Sequence, residues 1–201
     1  VYAGYLAKKI GLPINKFVVA TNQNDILHRA ITNGAYNVEN VVETISPSMD
    51  IQIASNFERL IFDLNDHNDK KTIDVMKSIK EKGKYAIQKE NLDKISVDFL
   101  SARMDENEIL NTIKSVYEKF DKVLDPHTAI GYRAFDKVKL KGNNIVLATA
   151  HPCKFPDAIE KAINIKAELP DELTFILDEK ENYDIIDNNL NKIKQYIKKR
   201  I

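Results

Sequence analysis

The chain has 201 residues, 43% of them hydrophobic and 30% charged, and its 30 basic residues balance its 30 acidic ones. That length suits one large domain or one and a half small ones, and zero net charge removes the global field that would draw in nucleic acid or an anionic membrane. A single cysteine excludes an intrachain disulfide and points to a reducing, cytoplasmic setting; no run approaches the roughly 20 apolar residues that span a bilayer, and no signal peptide is evident.

In chain order, residues 1–10 set Ala3, Leu6, Ala7 and Ile10 on one helical face, with Gly11 and Pro13 to stop the helix. A chain that opens at Val1 directly in helical periodicity is expected to be a processed or truncated product. "KFVVA" (16–20) is short, β-branched and wholly apolar, as in a parallel strand covered on both faces. Asn22 or Asn24 can then cap a helix over about 25–32 that ends at Asn33-Gly34. "VENVVETI" (38–45) is a second strand candidate, followed by the polar "SPSMD". Phe57, Leu60, Ile61 and Leu64 mark a helix, 64–72 an exposed loop, and Ile73, Met76 and Ile79 a helix that stops at Gly83.

"ISVDFLSARM" (95–104) alternates and reads as a strand. Asp105 and Glu108 have capping-box spacing ahead of a face made of Ile109, Ile113, Val116 and Phe120. Asp125 caps a small-residue helix with Pro126 in its first position. "NNIVLAT" (143–149) is another apolar strand, a helix starts near Pro156-Asp157, and the last helix aligns Ile186, Leu190, Ile193 and Ile197. Strands alternating with helices predict an α/β layered domain with a largely parallel sheet, whose ligands sit outside the strands' carboxyl ends. The polar strand ends at 21–22, 46–50 and 149–154 are expected to face one edge.

Three chemistries compete at "TAHPCK". His151 and Cys153 lie two apart on an extended segment, but a thiol nucleophile needs a base that is itself oriented by a third group. Four scattered histidines and one cysteine lack metal-ligand spacing, so no metal is expected; no P-loop or GxGxxG is present. The third reading is a Thr149 hydroxyl at a strand tip, able to meet a ring nitrogen without bringing charge. A plain strand-end threonine accounts for the residue equally well.

Five blocks resemble, in order and spacing, threonine synthase of the form found in many bacteria and fungi: "AGYLAKKIGLP" (3–13), "VATNQNDIL" (19–27), "SPSMDIQIASNFERLIF" (46–62), "DPHTAIGYRA" (125–134) and "ATAHPCKF" (148–155). The tail from 156 matches only loosely. The resemblance implies the three-layer αβα fold of the tryptophan-synthase-like, fold type II pyridoxal-phosphate enzymes. It also implies conversion of O-phospho-L-homoserine and water to L-threonine and phosphate, by γ-elimination of phosphate, proton movement between carbons and addition of water at the β carbon.

Residue by residue, the resemblance implies that Thr149 faces the cofactor's pyridine nitrogen and that Thr21 and Asn22 lie beside the cofactor. It makes Ser46, Asp50, His127, His151 and Lys154 substrate-pocket candidates, with no chemical step assigned to the last two. Cys153 stands where relatives often carry a small residue. The family's Schiff-base lysine lies in a Ser-Phe-Lys-Asp-type motif and its phosphate loop reads Gly-Asn-Phe-Gly; neither occurs here. No catalytic residue is therefore expected in this chain, and 1–155 is expected to be the C-terminal part of the cofactor-binding catalytic domain, with 156–201 a helical tail packed on it. The expected partners are the N-terminal segment of the same protein and a homo-oligomer, and no nucleic acid or membrane. The alternative is a non-catalytic fragment serving as a structural or interaction module.

Overall fold

A computed structural model describes residues 2–201; Val1, the first residue of the expected opening helix, lies outside the described residues. The chain divides into two units, Val1–Ala167 and Glu168–Ile201.

The first unit is built on a parallel pair, β1 (Phe17–Thr21) and β4 (Phe99–Arg103), in register from Phe17 opposite Phe99 to Thr21 opposite Arg103. Successive side chains of a strand point to opposite faces, and each face of this pair is covered. Phe17, Val19 and Phe99 pack into one apolar cluster with α1 (Tyr2–Lys9), α2 (Ile26–Asn33), α3 (Phe57–Leu64), α4 (Asp69–Lys82) and α5 (Lys89–Asp98). Val18, Ala20 and Ala102 pack into the other, with α6 (Glu106–Phe120), α7 (Pro126–Val138) and α8 (Pro156–Ile163). The result is an αβα layering. A second, antiparallel pair joins β2 (Ala35–Asn37) to β3 (Lys84–Ala86).

Local chemistry explains most helix ends. Asp105 and Glu108 form a reciprocal capping box on α6, Asp125 caps α7, and Gly34 and Gly83 end α2 and α4 in left-handed conformations that a side chain disfavours. Several expectations need correction. The second strand candidate, 38–45, forms no ladder: Val38 N–H still bonds Gly83 O, but farther on the amides bond side chains instead, Val42 N–H donating to Asn24 Oδ1 and Thr44 N–H to Asp50 Oδ2, both at 2.8 Å. Asn22 and Asn24 are consequently not caps of α2, whose N-cap position is Asp25.

The alternating stretch 95–104 is helical through Asp98 and extended only from Phe99. Asn68 caps α4 by accepting from Lys71 N–H, so that helix begins within the expected 64–72 loop. On α1 the buried residue is Tyr5, wedged against Phe17 and Phe99, while the expected inward residues Leu6 and Ile10 are 49% and 88% exposed. Residues 143–149 are not a ladder strand among the described residues, and Ile145 and Leu147 are largely exposed. α8, in the expected tail, packs on the first unit with Ile159 fully buried. The second unit carries a 3-10 stretch at Asp171–Leu177 and α9 (Leu190–Lys198), capped by Asn189.

Candidate functional site

Four chain segments meet beyond the carboxyl end of β1. The first is Thr21-Asn22. Asn22 is fully buried, and its amide nitrogen shares its two protons among Ser46 Oγ and Thr44 Oγ1, each at 2.9 Å, and Asp50 Oδ1 at 2.7 Å. The second is the loop 44–50, where the Asp50 carboxylate also accepts from Asn24 Nδ2, Thr44 Oγ1 and Thr44 N–H. Ser46 and Asp50, expected in the substrate pocket, thus hydrogen-bond within the loop and tie it to Asn22 and Asn24. Thr21 differs: its buried hydroxyl lacks a hydrogen-bond partner, a loss of about 1–3 kcal/mol if nothing else reaches it.

The third segment is the start of α7. Asp125 is buried and accepts His127 N–H at 2.9 Å and His127 Nδ1 at 3.0 Å on one oxygen, and the Thr128 hydroxyl on the other. Burial pushes its carboxyl up, but the hydrogen bonds from His127 and Thr128 outweigh that and hold it below the usual carboxylate range. Ser48 N–H, which can only donate, points at His127 Nε2 at 3.2 Å. That nitrogen must therefore accept, which places the ring proton on Nδ1 and makes the His127–Asp125 contact a hydrogen bond from a neutral ring rather than an ion pair. His127 so bridges the 44–50 loop to α7.

The fourth segment is 149–155. Thr149 N–H donates to Thr128 Oγ1 at 3.0 Å, and the two hydroxyl oxygens stand 3.4 Å apart. Phe155 packs its ring 4.7 Å from that of His127. His151 caps the 3-10 turn Pro152–Lys154: its Nδ1 accepts Cys153 N–H at 3.3 Å and lies 2.9 Å from Cys153 Sγ. No third group orients that pair, so the nucleophile arrangement is incomplete among the described residues. Lys154 is exposed and has no ion-pair partner among the described residues.

The edge thus brings together Thr21, Asn22, Ser46, Asp50, His127 and Thr149, with His151 and Lys154 on its exposed flank. Reading the sequence did not give Thr44 and Asn24 the role of holding Asp50, or Thr128 that of holding Thr149. Thr128 carried a legible signal, because the third residue after a capping aspartate is where the cap's oxygens point. Two cavities, of about 370 and 150 Å³, lie elsewhere, against Arg59 and Phe62 and among Leu27, Phe57 and Phe99; no strand-end candidate lines either. Among the described residues no three His, Cys, Asp or Glu side chains gather where they could hold a metal, and no helix is long and apolar enough to cross a membrane.

Comparison with known proteins supplies the family. Residues 128–197 match the family model described as threonine synthase, C-terminal. The chain is 38% identical over 200 residues to threonine synthase of Pseudomonas aeruginosa, covering 98% of this chain and 43% of that protein. It superposes on the PLP-bound threonine synthase from Brucella melitensis with a TM-score of 0.89 at 40% identity, covering 98% of this chain and 43% of that one. The yeast threonine synthase structure gives 0.83 at 37% identity, covering 98% and 44%. The chain spans less than half the length of these relatives. In sequence over nearly its whole extent, and in the layering of its helices about a parallel strand pair, this chain belongs to the threonine synthase family.

Proposed function

We propose that this chain is the C-terminal portion of a threonine synthase that uses pyridoxal phosphate to convert O-phospho-L-homoserine and water to L-threonine and phosphate. The observation that carries this reading is the Thr149 hydroxyl. It is exposed at the strand-end edge, and its 3.4 Å separation from Thr128 Oγ1 is longer than an ordinary O–H···O bond. The nearby Asp125 carboxylate is already occupied by His127 and Thr128. A pyridine nitrogen at Thr149 would meet a neutral hydroxyl and no free carboxylate, so nothing there favours its protonated form. The unpartnered Thr21 hydroxyl is a second polar group at the same edge. These residues fit the cofactor.

Pyridoxal phosphate, when bound, supplies the electron sink that lets protons leave substrate carbons. The chain's own residues orient and enclose. Thr149 would hold the ring nitrogen. Asn22, through Asp50, Thr44 and Ser46, fixes the loop that lines the pocket, and His127 ties that loop to α7. Lys154, an exposed ammonium, and His151 suit the substrate's phosphate. The Schiff-base lysine and the phosphate-binding loop belong to the part of the family that this chain does not span, so the activity is a property of the complete enzyme.

The test uses the complete enzyme containing this chain. Thr149→Ser is expected to keep most phosphate-releasing activity, and Thr149→Val to lose about tenfold, the worth of one hydrogen bond. Wild-type performance by Thr149→Val would remove the ring-nitrogen role. Mixing the 201-residue chain with an upstream half separates the alternative: recovered phosphate release supports the enzyme, and a folded chain inactive in every mixture supports a non-catalytic module.

A further inference from the structure

We infer that Thr128 is a positioning residue that aims the Thr149 hydroxyl at the cofactor ring, an inference that rests on the ring-nitrogen role proposed above. Thr128 has one proton, and it goes to the Asp125 carboxylate. Asp125 cannot return one, because its other oxygen is filled by His127 N–H and by the Nδ1 proton that the Ser48 contact assigns to that ring. The oxygen of Thr128 is therefore left as an acceptor only, and the group it accepts from is the Thr149 backbone N–H at 3.0 Å.

The polarity runs one way, from Thr149 to Thr128 to Asp125. It fixes the Thr149 backbone at the first turn of α7 without consuming the Thr149 side-chain proton, since the hydroxyl oxygens remain 3.4 Å apart. The hydroxyl is left with a proton to donate away from the helix. A Thr149 on the otherwise unpaired segment 143–149 would have no such anchor.

The experiment measures binding of pyridoxal phosphate, and of its 1-deaza analogue with carbon in place of the ring nitrogen, to the complete apoenzyme by equilibrium dialysis. Thr128→Val is expected to weaken binding of pyridoxal phosphate about tenfold and of the analogue less than about twofold. Thr149→Val should show the same pattern, the double variant should bind no more weakly than Thr149→Val alone, and Thr128→Ser should bind like wild type.

If Thr149→Val weakens pyridoxal phosphate selectively and Thr128→Val does not, the positioning role is wrong and the ring-nitrogen role stands. Equal weakening of both compounds by Thr128→Val would mean general disruption and would also overturn the inference. If Thr149→Val binds both compounds like wild type, the ring-nitrogen role itself falls, and this inference with it.

Discussion

Asp125 serves four donors with two oxygens, and the bonds set more than themselves: the backbone N–H groups of His127 and Thr128 make the α7 cap, His127 Nδ1 fixes that ring's tautomer, and the Thr128 hydroxyl is left as an acceptor. Asp125→Asn replaces one acceptor oxygen with a donor nitrogen, which must face either His127 or Thr128. The expected loss of stability is about 2 kcal/mol, from a lost cap and an unsatisfied buried group, read from denaturant midpoints at pH 7. The sign of the pH dependence follows from the depressed carboxyl. Its contribution is full above the ordinary aspartate pKa of about 3.9 and fades as pH falls through the lower folded value. The gap between wild type and Asp125→Asn should thus stay constant from pH 7 to about 5 and narrow below about 4. A gap that persists undiminished in acid would show that the carboxylate's charge is not the source. At this scale the sequence was half legible. The cap-and-proline pattern identified Asp125, whereas Thr149 was singled out as the tip of a strand that does not form, and its role rests on the family resemblance. Ser48 donating to His127 joins positions 79 apart and has no local signature.

Among elements, legibility followed whether the backbone hydrogen bonds stay local. Capped helices such as α6 and α7 were readable from residues three apart. The two apolar runs at 38–45 and 143–149 were misread as ladder strands because periodicity reports apolar character, not which donor takes an amide. In both, side-chain oxygens intercept the backbone: Asn24 and Asp50 in the first, Thr128 in the second. At 95–104 the alternation of Ile95, Val97 and Phe99 mimicked a strand, yet Val97 is 65% exposed and only Ile95 and Phe99 are buried. Gly34 tests the turn between α2 and β2. Its φ is +77°, and an added Cβ would stand 3.1 Å from Ile87 O, the carbonyl of a residue whose own N–H bonds Gly34 O at 2.8 Å. Gly34→Ala is expected to destabilise by about 2 kcal/mol, the left-handed penalty plus crowding, seen as a lower Tm with the α2 cap weakened. An unchanged Tm would mean the turn relaxes freely.

For the molecule as a whole, both apolar clusters fall within the first unit. Trypsin at low dose, cutting near Lys166, is therefore expected to release a product that keeps a cooperative thermal transition; a product that melts without one would show that residues beyond 167 supply part of the core. Layering was readable from the sequence, because alternation of helical and apolar segments is a global pattern. Which apolar side chains stay outside was not. Leu6, Ile10, Ile145 and Leu147 read as core and lie on the surface, and composition cannot distinguish an inward face from one that awaits a partner.

The pairing of β1 with β4 also carries a temporal consequence. Phe17 and Phe99 meet across roughly eighty residues of intervening chain and the β2–β3 pair across roughly fifty, while each helix forms within its own short span. Closing a long loop costs entropy before any contact rewards it, so distant parallel pairing is slow. The bond from Met104 N–H to Thr21 O, which seals the strand-end edge, lies at the far end of that ladder. The edge that gathers Thr21, Asn22, His127 and Thr149 is thus expected to be assembled late in folding, after the helices that frame it.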